Sequence, residues 1–211
     1  MLFIGMPLVV TASFKTIVSW GALGAFTLVG ILLALAAGAV LLLAITPGFS
    51  FRRLLSGPVF REWKLILGCT VLVAGVSLGV ALLLLPHRVL VLPFYDRPEW
   101  LLVLGAYPLL SAFPQELIYR ALFFERYGAL FPGTIAASVA NGAAFGFGHI
   151  IYMHSLTIIL TAAFGVVVGW AYLTRGRSVL LTSVMHSIAG WMIFTSGLGT
   201  YFHSGSVTPI P

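Results

Sequence analysis

Charge is scarce in this sequence: only 8% of its 211 residues are Asp, Glu, Lys or Arg, and five of them are acidic. An ordinary globular protein carries roughly a quarter charged residues, so this chain cannot cover a water-facing surface. Cysteine is almost missing as well. The single Cys69 lies in an apolar run, which excludes an intrachain disulfide and leaves the redox compartment open. No tandem or inverted repeat relates the two halves, which counts against a pseudosymmetric transporter. The N-terminus lacks the short basic stretch and small-residue cleavage site of a secretory signal, so no processing is expected there.

Apolar residues are what the chain has in excess, at 60% of the total with a mean hydropathy of +1.10. This composition predicts an integral membrane protein, all-α, with the bilayer as its solvent. A spanning helix needs about 20 mostly apolar residues. Six stretches qualify, at 17–46, 65–85, 100–124, 133–150, 155–174 and 178–197. The third is interrupted by Pro108, Pro114, Glu116 and Arg120. The tail from Thr200 to Pro211 has no charge beyond His203 and is expected to be poorly ordered.

Basic residues outnumber acidic ones 11 to 5, with a pI of about 9.9. They are not pooled on one amphipathic face, so they read as topology signals and lipid-headgroup contacts rather than a nucleic-acid surface. Arg52, Arg53, Arg61, Lys64, Arg126, Arg175 and Arg177 fall in alternate loops, against Lys15, Arg88 and Arg97 on the other side. The positive-inside rule places the Arg-rich loops in the cytoplasm and both termini outside.

An ionisable residue at membrane depth costs on the order of 2.5 kcal/mol or more, which makes it a functional candidate. Glu116, Arg120, His149 and His186 lie within the spans, His154 just past the fourth, and His87 in a loop. Glu116 and Arg120 are four apart, share a helix face and are expected to pair. Counting ~1.5 Å per residue from Glu125 and Ser178 puts Glu116 and His186 at similar depths, ~13 and ~12 Å, whereas His149 counted from Gly133 lies ~24 Å deep. A carboxylate with two imidazoles near one level suits general acid–base work on a bound water. The expectation is that Gln115, Glu116, His149 and His186 converge on one polar cavity, with the two imidazoles within about 12 Å of each other.

These residues carry a resemblance. Gln115-Glu116-Leu-Ile-Tyr119-Arg120 resembles the Glu-Glu-x-x-x-Arg motif of the CAAX prenyl protease and bacteriocin-processing (CPBP/Abi) family of intramembrane proteases. Phe145-Gly-Phe-Gly-His149 matches that family's Phe-x-x-x-His. Phe164-Gly165 to Gly169, followed by Arg175-Gly-Arg-Ser178, resembles its Gly-rich helix and turn. His186 sits where the family has His-x-x-x-Asn or Asp. The likeness runs from about Tyr107 to Gly190. It implies one membrane domain over 1–211, with two N-terminal spans and loops in 1–99 and a four-helix catalytic core in 100–198.

The implied activity is a glutamate-type intramembrane endopeptidase of a bacterial or archaeal cytoplasmic membrane. Its substrate is a membrane-anchored protein or peptide, cut near a lipidated or transmembrane C-terminal segment, such as a C-terminal sorting tag. In the family the first Glu and the second-motif His activate water, and the last His with its Asn stabilises the oxyanion. No metal cofactor is expected: the sequence has no His-Glu-x-x-His, although zinc stays open. Two positions depart from the pattern. Gln115 stands at the first Glu and Gly190 at the last Asn, with Asn141 or Ser187 as replacement donors and Arg120, Asn141 and Tyr119 in support. Gln cannot accept a proton, so the chain is expected to bind substrate but to cleave it slowly or not at all, whether Gln115 is natural or engineered. A non-catalytic binding or immunity protein of the same fold is the alternative, and a proton-coupled transporter a more distant one.

Overall fold

In hydrocarbon every backbone N–H and C=O must be satisfied within its own segment, so long apolar runs fold as helices. The computed structural model describes Pro7, residues 22–57 and residues 59–202. Among these, six helices are long and apolar enough to cross a membrane. They are α1 (Ala22–Ala44), α2 (Trp63–Leu84), α3 (Arg97–Leu130), α4 (Gly133–Gly148), α5 (Ser155–Thr174) and α6 (Val179–Ser196). The protein is an all-α, polytopic integral membrane protein. Residues 17–21 of the first expected span lie outside the described residues.

The third span is longer than its apolar stretch suggests, at 34 residues. It stays helical through both prolines by widening its turns. Pro114 has no N–H to give and its ring crowds the preceding turn. The backbone takes π-helical form at Pro108–Ala112 and again at Leu117–Leu122, with the Phe113 N–H reaching back to the Pro108 carbonyl. Gln115 and Glu116 sit on the short α-helical piece Phe113–Glu116 between these wide turns. Such insertions often mark functional sites, because they redirect side chains without ending the helix.

Helices α4 and α5 cross in close contact. A Cβ on Gly165 would lie 2.9 Å from the Gly142 Cα, and a Cβ on Gly146 2.8 Å from the Ile158 carbonyl oxygen. Small residues at these positions allow the two backbones to approach, as at other membrane helix crossings. This packing brings the end of α4, with His149 just beyond it in the 3-10 turn His149–Tyr152, against the bundle interior.

Helix α6 is the most enclosed of the six. Ser178 caps its start by accepting from the Leu181 N–H, and Gly197 ends it at φ 101°, a conformation that favours glycine. Trp100 on α3 donates its indole N–H to Thr195 Oγ1 at 3.0 Å, tying α3 to α6. At one end of the bundle Arg177 pairs with Glu125 at 3.0 Å and Arg175 with Glu62 at 3.6 Å. Arg126 donates to the Leu42 carbonyl at 2.9 Å. These are half-exposed contacts worth at most about 1 kcal/mol each, but they gather the Arg-rich loops together. Thr200, Tyr201 and Phe202, expected to be poorly ordered, are folded. Leu198–Phe202 forms a 3-10 turn in which the Tyr201 carbonyl accepts from Thr157, and residues 203–211 lie outside the described residues.

Candidate active site

Helices α2 to α6 line a cavity of about 190 Å³. Leu72, Val73 and Val76 of α2 and Phe164 and Val167 of α5 give it an apolar wall. Polar groups reach the same cavity from three other helices: Tyr107, Ser111 and Gln115 from α3, His149 beyond α4, and His186 from α6.

Behind His186 stands Glu116, fully buried. Its Oε1 is 2.9 Å from His186 Nδ1, and its Oε2 is 3.0 Å from Arg120 Nε. The expected i, i+4 pair is therefore present, though it is a charge contact rather than an aligned hydrogen bond, since Arg120 Nε and Glu116 Oε2 each lack a hydrogen-bond partner. One carboxylate thus holds both a guanidinium and an imidazole. Arg120 is fixed in turn by donating through Nη1 to Asn141 Oδ1 and by lying over the Phe145 ring at 4.8 Å. Asn141 completes the support by donating through Nδ2 to the Tyr119 carbonyl.

This geometry corrects the expectation that Gln115 impairs the chain. Inactivation assumed that Glu116 was committed to Arg120 alone and that position 115 held the only free carboxylate. The structure shows an intact carboxylate–imidazole pair, Glu116 with His186, so the site holds a paired carboxylate and imidazole without a carboxylate at 115. Gln115 lines the cavity instead, and its Nε2 donates to Ser111 Oγ at 2.8 Å.

The two imidazoles share a seat. The His149 and His186 rings lie 4.6 and 5.5 Å from the one Phe145 ring, both edge-on. They therefore cannot be further apart than these two spans laid end to end, which is inside the limit set for a shared site. The tautomers follow from their partners. His149 Nδ1 faces the Phe145 carbonyl at 2.8 Å, an acceptor only, so Nδ1 carries the proton and Nε2 the lone pair. His186 Nδ1 faces a carboxylate paired to arginine and likewise donates, leaving Nε2 as its basic nitrogen.

The apparent depth gap of His149 has a plain origin. Helix α3 continues past Glu125 to Leu130, and counted from there Glu116 lies ~21 Å deep, close to His149.

The other sequence candidates separate cleanly. Asn141 is buried among Arg120 and the Tyr119 carbonyl, and Ser187 donates to the Ser183 carbonyl at 2.7 Å, so neither replaces the missing Asn in the cavity. Tyr119 packs edge-on to Phe145 at 5.1 Å, and its hydroxyl fills the place a side chain at Gly148 would take. His154 stacks on Tyr201 at 4.0 Å, and His87 is exposed in the 3-10 turn Pro86–Arg88. Tyr107 and Ser111 escaped the sequence reading. Their spacing with Gln115, at every fourth residue, was the available signal. Among the described residues no group of three or more His, Cys, Asp or Glu is placed to hold a metal ion.

Residues 97–192 match the family model of the type II CAAX prenyl endopeptidase Rce1-like proteins. No curated protein and no solved structure matches the chain.

Proposed function

Because residues 97–192 belong to the CAAX prenyl protease and CPBP/Abi family, we propose that this chain is an active intramembrane peptidase that hydrolyses a membrane-anchored peptide at the His149–His186 cavity. The family supports a membrane-embedded protease acting on a membrane-associated substrate. The observation that carries the reading further is the buried Glu116–His186 pair beside a cavity with one apolar wall.

His186 Nε2 takes a proton from water, whose oxygen attacks the scissile carbonyl. The imidazolium formed is stabilised by Glu116, which also holds the ring in its tautomer, as a buried carboxylate does for the histidine of a catalytic triad. His149 Nε2 accepts the second water hydrogen and orients the nucleophile. When the C–N bond breaks, the proton on His186 passes to the leaving nitrogen, giving a carboxylic acid and an amine. The apolar wall from α2 and α5 accommodates the lipid or apolar anchor of the substrate. In this reading the chemistry lies in 100–198, and no metal is required.

The test is cleavage of a quenched fluorescent, C-terminally prenylated CAAX-type peptide in detergent micelles. His186→Ala is expected to lower kcat by about 10²–10⁴, the usual worth of a general base, and His149→Ala to lower it too. A chelator should leave the rate unchanged. Undiminished cleavage by His186→Ala would exclude the dyad. Failure of the unmodified chain to cut a prenylated peptide that it binds would favour a non-catalytic binding protein of the same fold.

The reading also places the Arg-rich end in the cytoplasm. It is supported by the ion pairs Arg175–Glu62 and Arg177–Glu125, which bring the basic loops to one end of the bundle. In a Cys69→Ser background, Arg52→Cys is expected to resist a membrane-impermeant thiol reagent in intact cells and to react after permeabilisation. Labelling in intact cells would reverse the orientation.

A further inference from the structure

The lining of the cavity has a hydroxyl that the water-activating machinery does not use. Tyr107 lies one turn before Ser111 and two before Gln115, and all three side chains line the cavity. The Tyr107 ring meets His186 edge-on with centroids 5.9 Å apart and Phe194 at 5.8 Å. It also occupies the space beside Gly190. A Cβ built on Gly190 would collide with Tyr107 Cε1 and Cζ and would come within 2.8 Å of the phenolic oxygen. Any side chain at 190 would therefore displace the phenol, and a side chain reaching the cavity from α6 at that level is replaced by one reaching it from α3.

The phenol sits beside a short polar row. Gln115 Nε2 donates to Ser111 Oγ at 2.8 Å, and Ser111 lies one turn from Tyr107 in the lining of the same cavity. Because Ser111 accepts from the amide, its own single proton is available for the Tyr107 oxygen. The Tyr107 O–H is then available to an acceptor in the cavity. A carboxylate at 115 would reverse this order, drawing the Ser111 proton towards itself and the Tyr107 proton towards Ser111.

We propose that Tyr107 is a catalytic residue that donates its hydroxyl proton in a hydrogen bond to the scissile carbonyl oxygen as negative charge develops there, with Ser111 and Gln115 as positioning residues. This rests on the reading of the cavity as a peptidase site. A donor fixed at a developing oxyanion acts without rearrangement during the reaction, and its removal costs ~10²–10³ in kcat. No proton is transferred: the phenol keeps its O–H bond, and the charge returns to the carbonyl when the C–N bond breaks.

The experiment compares the unmodified chain with Tyr107→Phe, Ser111→Ala and His186→Ala on the prenylated quenched peptide in micelles. Tyr107→Phe keeps the ring against Gly190 and should keep the melting temperature. Its kcat should fall about 10²–10³-fold with KM little changed, the signature of an interaction made in the transition state alone. Ser111→Ala should give a smaller fall in kcat, since the phenol remains but is less well aimed. Full activity of Tyr107→Phe, or a change confined to KM, overturns the role of Tyr107 while leaving the peptidase reading in place. Absence of cleavage by the unmodified chain, or full cleavage by His186→Ala, overturns the peptidase reading and this inference with it.

Discussion

Glu116→Gln is expected to reduce kcat by about 10⁴-fold, the effect seen when the carboxylate that orients a catalytic histidine is neutralised. The amide keeps the volume of the carboxylate at a site with no solvent access. It can donate as well as accept, however, so it no longer dictates which His186 nitrogen carries the proton, and it cannot stabilise the imidazolium. The same change leaves Arg120 charged beside a neutral group, so a loss of stability is expected too. The double variant Glu116→Gln/Arg120→Met separates the two effects. Replacing a buried ion pair by neutral groups of similar size is often tolerated, so this protein should regain much of its thermal stability in detergent and remain inactive. Recovery of both stability and turnover would show that the carboxylate serves the fold alone.

Arg120→Ala carries the largest expected effect on stability. Glu116 and Arg120 are both fully enclosed, and the guanidinium also holds Asn141 and covers Phe145. Taking away one partner of a buried pair typically costs about 3–5 kcal/mol. For a chain of this size that corresponds to a melting temperature lower by on the order of 10 °C. Reduced yield of folded protein should accompany it. The loss should reach the cavity as well, because Phe145 is the ring against which both His149 and His186 rest. A melting temperature unchanged in Arg120→Ala would mean that the pair contributes little and that Glu116 is held by His186 alone.

The membrane bundle was legible in the sequence because hydropathy is a property of whole segments and bilayer thickness sets their length. The pairing of Glu116 with Arg120 was legible because helical spacing survives the wide turns of α3. What the sequence hid depends on departures from a straight α-helix. Depth counting placed His149 too far from Glu116 because it ended α3 at Glu125, whereas the helix runs on through Arg126 and Gly128 to Leu130. The bond from Glu116 to His186 joins residues 70 positions apart and leaves no local trace. Without it, Gln115 looked like the loss of the only useful carboxylate, and the inference of an impaired site followed. The contribution of Tyr107 was hidden for a related reason: a glycine at 190 reads as a missing side chain until the neighbouring helix is seen to fill its space.

The most direct measurement is the turnover of the unmodified chain beside that of Gln115→Glu, on the same prenylated peptide, in micelles containing a chelator. With Glu116 and His186 forming the working pair, the chain as it stands cleaves the peptide, and a second carboxylate at 115 is not needed for activity. Cleavage by Gln115→Glu alone, with the unmodified chain binding the peptide and leaving it intact, would contradict the account.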